Sequence, residues 1–160
     1  HGSWTHLLFN VVWLAVFGTP VARRYGSFWF YVVFFAGAIG GALFYTVLQL
    51  DQTSVLIGAS GGVAALTGAA MRFVFEPIEV ARNPESGEVV AMGRRMTSIA
   101  GVFSNSRARA FTLFWIGFNL AIPIYGVIVG AEGPSIAWQA HIGGFLAGFL
   151  LPSLIERRKK

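Results

Sequence analysis

The chain has 160 residues, 55% of them hydrophobic and 12% charged, with a mean hydropathy of +0.64. A water-soluble domain of this size cannot cover its surface with so few polar side chains, and a chain without cysteine has neither a disulfide framework nor thiolate chemistry. The net charge of +5 at pH 7 is explained more simply by basic residues flanking membrane helices than by nucleic acid, so no nucleic-acid partner is expected.

The chain opens on His1 rather than Met and carries no cleavable signal-peptide pattern. It is therefore expected to be a piece of something longer. The first apolar run is Trp4 to Phe17, extendable to Ala22, and Gly18-Thr19-Pro20 is expected to end it. The second run, Phe28 to Leu50, is long enough to cross a bilayer with some tilt, and its Gly37, Gly40 and Gly41 offer a close-packing face. Asp51-Gln52-Thr53-Ser54 reads as a short polar loop.

The third run, Val55 to Phe75, contains Gly58-Ala59-Ser60-Gly61-Gly62 near its start. Glycines there suit a turn better than a helix interior, so the helix is expected to begin around Ser60, below the membrane surface. Glu76 to Arg109 is the longest polar segment, with Pro77, Asn83-Pro84 and Ser86-Gly87 as turn signals. It reads as a membrane-external loop, with a short interfacial helix expected over Met92 to Phe103.

The fourth run, Phe111 to Val129, carries Asn119 and Pro123, and a membrane helix tolerates proline where neighbours satisfy the freed carbonyl. The fifth, Ile136 to Ile155, holds His141 and ends in Glu156-Arg157-Arg158-Lys159-Lys160. Its Ala140, Gly144 and Gly148 recur every four residues, the small-residue spacing of tight helix contacts. Because the runs are continuously apolar rather than alternating, a β-barrel is disfavoured. The expected fold is an all-α polytopic bundle.

Orientation follows from counting. If the five runs alternate with His1 on the non-cytoplasmic side, all 12 basic residues fall in cytoplasmic segments or at cytoplasmic helix ends. The two opposite loops, around Asp51 and Glu132, hold none, which is a strong positive-inside pattern. The start of the first run, Ser60 and the start of the last run then lie at one outer depth.

Ser60 alone reads as a packing residue that bonds back to its own helix. His141 alone reads as a functional residue, because an ionisable group inside an apolar span is costly. Together, on helices with small-residue faces, they form a candidate nucleophile and general base. His6 and Asn10 share a helix face and both donate hydrogen bonds, as an oxyanion site requires. The backbone N–H of Ser60 is a further donor.

The simpler reading of His1 is an interfacial anchor, and Asn119 reads as a structural hydrogen bonder. Trp4, Trp29 and Trp138 read as interface anchors. The arginines of the long loop read as a topology signal, with lipid binding as a lesser role. A metal site from His1, His6 and His141 is disfavoured, since no carboxylate or His-Glu-x-x-His accompanies them. Asp51 and Glu132 lie in outer loops and do not suit a third triad member.

His1-x4-His6-x3-Asn10, Gly58-Ala59-Ser60-Gly61 and Ala140-His141-x2-Gly144 occur in the order and on the helices found in the rhomboid intramembrane serine proteases, which this chain resembles over essentially its whole length. The resemblance implies a six-helix core, of which the five runs are the second to sixth helices. The first helix and the outer loop after it are expected to be absent, with residues 1–160 one membrane domain and 76–109 its cytoplasmic loop. It implies Ser60 as nucleophile, His141 as base, and His6, Asn10 and the backbone of Ser60 and Gly61 as oxyanion donors. His1 is implied as supporting, and no metal or organic cofactor is implied.

Two positions depart from the family pattern. Ala64 stands where many relatives carry an aromatic against which the base packs, so another group must hold the His141 ring. Ala22 stands where an acidic residue often precedes the arginines.

The expected function is cleavage of single-span membrane proteins in or near their transmembrane segments. The alternatives are a non-catalytic rhomboid-like scaffold that binds transmembrane clients, or a small transporter; a transporter would more often show paired intramembrane charges or inverted repeats. The compact core points to a bacterial plasma membrane, with the site towards its outer side.

Overall fold

The computed structural model describes residues 1–50, 56–128 and 137–157. The expected loops at Asp51–Ser54 and around Glu132, and the basic tail from Arg158 to Lys160, lie outside them. Helix α1 (Trp4–Trp13) starts at Ser3, whose hydroxyl accepts a hydrogen bond from the His6 N–H at 3.1 Å, an ordinary N-cap. A π-helical turn, Leu14–Gly18, then leads directly into α2 (Thr19–Leu48).

The expected stop at Gly18-Thr19-Pro20 is therefore not a stop. The wide turn carries the helix across Pro20, whose missing N–H leaves one bond to the preceding turn unmade. The interruption comes later, at Gly26, with φ 82° and ψ 170°. That left-handed backbone favours glycine. Beyond it, Tyr31, Phe35, Ile39, Leu43 and Val47 form an exposed stripe at four-residue spacing, which suits a lipid-facing surface.

Helix α3 (Ser60–Met71) is the centre of the molecule, with every residue from Gly62 to Met71 buried. Its apolar circumference matches a helix enclosed by others. It begins at Ser60, as the glycine turn predicts, but it is much shorter than the run Val55 to Phe75. Its 12 residues extend about 18 Å, short of the roughly 30 Å of a hydrocarbon core. Among the described residues, three helical stretches are long and apolar enough to cross: Trp4–Leu48, Ser106–Tyr125 and Trp138–Arg157.

Residues 76–104 are more ordered than a loop. Strands β1 (Ile78–Arg82) and β2 (Val89–Arg94) pair antiparallel, with Ile78 opposite Arg94 and Arg82 opposite Val89. The turn between them is fixed by Asn83, whose side-chain oxygen accepts from the Glu85 N–H at 2.9 Å and whose carbonyl accepts from the Gly87 N–H at 2.9 Å. The short helix expected over Met92 to Phe103 is accordingly corrected: α4 (Ile99–Ser104) begins only after Ser98, which caps it through the Gly101 N–H. Met92 belongs to the β-rich stretch Val89-Val90-Ala91-Met92, where cross-strand pairing overrides helical spacing.

Helices α5 (Ser106–Ile128) and α6 (Trp138–Arg157) complete the fold. The core is α2, α3 and α6 in backbone contact. A Cβ at Gly144 would overlap the Gly61 carbonyl, one at Gly148 the Ala65 carbonyl, and one at Gly41 the Ala140 carbonyl. The small residues predicted to form close faces do form them. On α5, Leu113, Phe114 and Phe118 are exposed, while Trp115 stacks on Phe145 of α6 with ring centres 4.7 Å apart.

Polar chemistry at the end opposite Ser60 ties the core together. Glu156 of α6 accepts from the Arg24 guanidinium at 2.6 Å and from the Tyr25 hydroxyl at 3.3 Å, so the acidic partner that Ala22 does not supply comes from α6. Arg24 also donates to the Arg94 carbonyl of the hairpin. Buried Arg72, at the end of α3, donates to the Phe149 carbonyl at 2.8 Å, the Ser153 hydroxyl at 3.0 Å and the Thr97 carbonyl at 3.0 and 3.1 Å.

Arg72→Met is expected to lower stability by about 2 kcal/mol, since it strips donors from two carbonyls. Denaturant unfolding in detergent reads the loss, and amide exchange should speed up across residues 95–98.

Candidate functional site

Four elements converge at the other end of the core. The turn before α3 is set by Gly58, with φ 110°, a conformation that favours glycine. It also brings His6 close: a Cβ on Gly58 would lie 3.0 Å from His6 Cε1 and 3.3 Å from both His6 Nε2 and His1 Cδ2. The His1 ring meets His6 edge-on, with centroids 5.0 Å apart and planes at 74°. This contact fixes the direction in which the His6 ring points.

Ser60 is the first residue of α3 and is half-buried. The helix has no side-chain cap, and its first intrahelical bond runs from the Val63 N–H to the Ala59 carbonyl at 3.0 Å. The N–H groups of Ser60, Gly61 and Gly62 thus have no intrahelical acceptor. Together with the positive end of the helix dipole they favour a negative charge placed there. The glycines matter as much as the serine, because the Gly61 backbone rests against α6 at Ala140 and Gly144, which flank His141.

Asn10 lies one turn beyond His6 on α1 and is buried. Its Nδ2 donates to the His6 carbonyl at 2.8 Å, while its Oδ1 is buried without a partner. One amide hydrogen remains uncommitted. His141 stands in the first turn of α6 and is half-buried.

The structure thus brings His1, His6, Asn10, Ser60, Gly61 and His141 to one end of the bundle. Among the described residues Ser60 Oγ makes no hydrogen bond. Among the described residues no three His, Cys, Asp or Glu side chains are grouped as metal ligands.

One member of the site was missed by the sequence argument. Asn119 of α5, read there as a structural hydrogen bonder, meets His141 Nδ1 through its Oδ1 at 2.7 Å. It occupies the role left vacant by Ala64, that of holding the imidazole. The available signal was a lone amide in an apolar run, four residues before Pro123. An intramembrane polar residue of that kind warrants a named partner.

Comparison with known proteins agrees with this architecture. The Rhomboid domain family matches residues 1–158. The chain is 28% identical to RHOMBOID-like protein 12, mitochondrial, of Arabidopsis thaliana, across 87% of its own length and 39% of that protein. It is 26% identical to Rhomboid protease AarA of Providencia stuartii, across 94% of its length and 51% of that protein. It is 25% identical to Rhomboid-like protease 5 of Toxoplasma gondii, across 94% of its length and 14% of that protein. The chain therefore spans about half or less of the length of these relatives. With the family matched from end to end of the described bundle, and with helices long and apolar enough to cross a bilayer, this chain belongs to the rhomboid family of integral membrane proteins.

Proposed function

We propose that the protein is an intramembrane serine endopeptidase that cleaves single-span membrane proteins in or near their transmembrane segments. The observation that carries this reading is the seating of Ser60 on an uncapped helix N-terminus whose next residue, Gly61, packs on Ala140 and Gly144, which flank His141 on α6. Ser60 Oγ attacks the scissile carbonyl carbon, and His141 Nε2 takes its proton. The resulting oxyanion is held by the backbone N–H groups of Ser60 and Gly61, with His6 and Asn10 as side-chain donors. The tetrahedral species collapses, His141 returns the proton to the departing amine, and water activated by His141 hydrolyses the acyl ester.

The naming of two relatives as proteases supports the activity. The distribution of arginine supports an orientation with the site on the non-cytoplasmic side and residues 76–109 in the cytoplasm. Both bacterial and plant organellar relatives match, so a bacterial plasma membrane stands on the compactness of the core alone.

A fluorophosphonate probe tests the reading. The full-length protein in liposomes is expected to be labelled at Ser60, and Ser60→Ala is expected to abolish labelling. A non-catalytic scaffold with the same fold predicts no labelling in either, and that result would remove the protease assignment.

A further inference from the structure

We infer that Asn119 is a positioning residue for catalysis: its hydrogen bond to His141 selects the imidazole tautomer that can act as a base towards Ser60. The inference rests on the reading of Ser60 and His141 as a catalytic pair. A neutral imidazole carries one hydrogen, on Nδ1 or on Nε2, and only the nitrogen without it can accept a proton. Which nitrogen that is depends on the partner of the other.

The orientation of the Asn119 amide settles the question. Its Nδ2 lies 2.8 Å from the Trp115 carbonyl oxygen, one turn earlier on α5. A carbonyl oxygen only accepts, so the NH2 group must face it. Turning the amide over would set oxygen against oxygen there. With Nδ2 fixed, Oδ1 is the atom 2.7 Å from His141 Nδ1. That oxygen also only accepts, so Nδ1 carries the hydrogen and donates it. The lone pair is left on Nε2.

Trp115 is itself held by stacking on Phe145 of α6, so carbonyl, amide and imidazole form one relay between α5 and α6. Asn119 is 6% exposed, which shields this relay from water that would otherwise satisfy either tautomer. A neutral acceptor here also avoids placing a carboxylate in lipid, where an uncompensated charge is costly. The design parallels the orienting role of the third member of a serine triad, with an amide in place of the acid.

The test uses full-length protein with 15N-labelled histidine in detergent micelles. The His141 resonances are identified by their loss in His141→Ala. Wild type is expected to show a protonated Nδ1 and a pyridine-type Nε2. Asn119→Leu is expected to lose that pattern and to lower kcat on the order of 10- to 100-fold with KM nearly unchanged, a part of the 10²–10⁴ that a general base contributes.

Unchanged tautomer and kcat in Asn119→Leu would overturn the inference. So would a lower melting temperature accompanied by wild-type kcat per folded molecule, because the bond would then be structural only. If wild-type Ser60 resists the fluorophosphonate probe, the protease reading fails and the catalytic role of Asn119 falls with it. The 15N pattern would still report whether Asn119 holds the ring, so the two failures are distinct.

Discussion

Ser60→Ala and His141→Ala are each expected to reduce cleavage of a single-span substrate in liposomes by roughly 10⁴- to 10⁶-fold, the scale seen when a serine nucleophile or its base is removed. The double variant should be little worse than either single one, because the two groups act as a unit. The size of the loss reflects how little an unassisted hydroxyl can do: it attacks only while a base takes its proton.

Neither variant should disturb the fold. Ser60 and His141 are only half-buried, and the tight α3–α6 contact is made by Gly61, Ala140 and Gly144 rather than by them. Removing a single oxyanion donor, His6→Ala or Asn10→Ala, should cost less, about 10²- to 10³-fold in kcat, since backbone donors remain. Thermal unfolding in detergent, run beside the cleavage assay, separates lost chemistry from lost structure. Cleavage by Ser60→Ala at the wild-type rate would eliminate the serine mechanism.

Gly148→Val is expected to have the largest effect on stability. A Cβ at this position would overlap the Ala65 carbonyl oxygen, carbonyl carbon and Cα. Backbone cannot move aside as a flexible side chain does, so α3 and α6 would have to separate. Overpacking of a close-packed core costs about 1–3 kcal/mol even when side chains can adjust, and the upper end or beyond is expected here.

The consequence should extend to the site. Gly148, Gly144 and Ala140 lie on one face of α6, and the last two carry the contact with Gly61. Separating the helices near Ala65 would tilt His141 away from Ser60. Gly148→Val should therefore lose both melting temperature and fluorophosphonate labelling, whereas Ser60→Ala loses labelling alone. A Gly148→Val protein with the wild-type melting temperature would show that the α3–α6 contact is looser than this backbone packing implies.

The legible part of the fold was the part written in composition and spacing. The small residues at 140, 144 and 148 predicted where α6 would meet another helix, and they do so at Gly61 and Ala65. Gly58 to Gly62 predicted a turn into a helix at Ser60, and α3 begins there. The first break was misplaced by eight residues, from Gly18 to Gly26. Gly18-Thr19-Pro20 reads as a stop in isolation, but a π turn can carry a helix across proline. The hairpin at Ile78–Arg94 was hidden because a short amphiphilic stretch has no single period, and strand pairing depends on a partner that local sequence does not name.

By itself the sequence determined that the chain is a helical membrane bundle, and it predicted that Ser60 and His141 stand near the same end. Each follows from local quantities: hydropathy over a run, charge between runs, and the position of a residue within its own helix. Only the tertiary structure decided which side chains touch. It supplied Glu156 as the partner of Arg24, across 132 residues of chain. It seated Arg72 on the carbonyls of Thr97 and Phe149. It also set Asn119 of α5 against His141 of α6. Such pairs depend on the rotation of each helix about its axis and on the distance between axes. Those are fixed by backbone packing at small residues summed over the whole core, so no single segment of the sequence contains them.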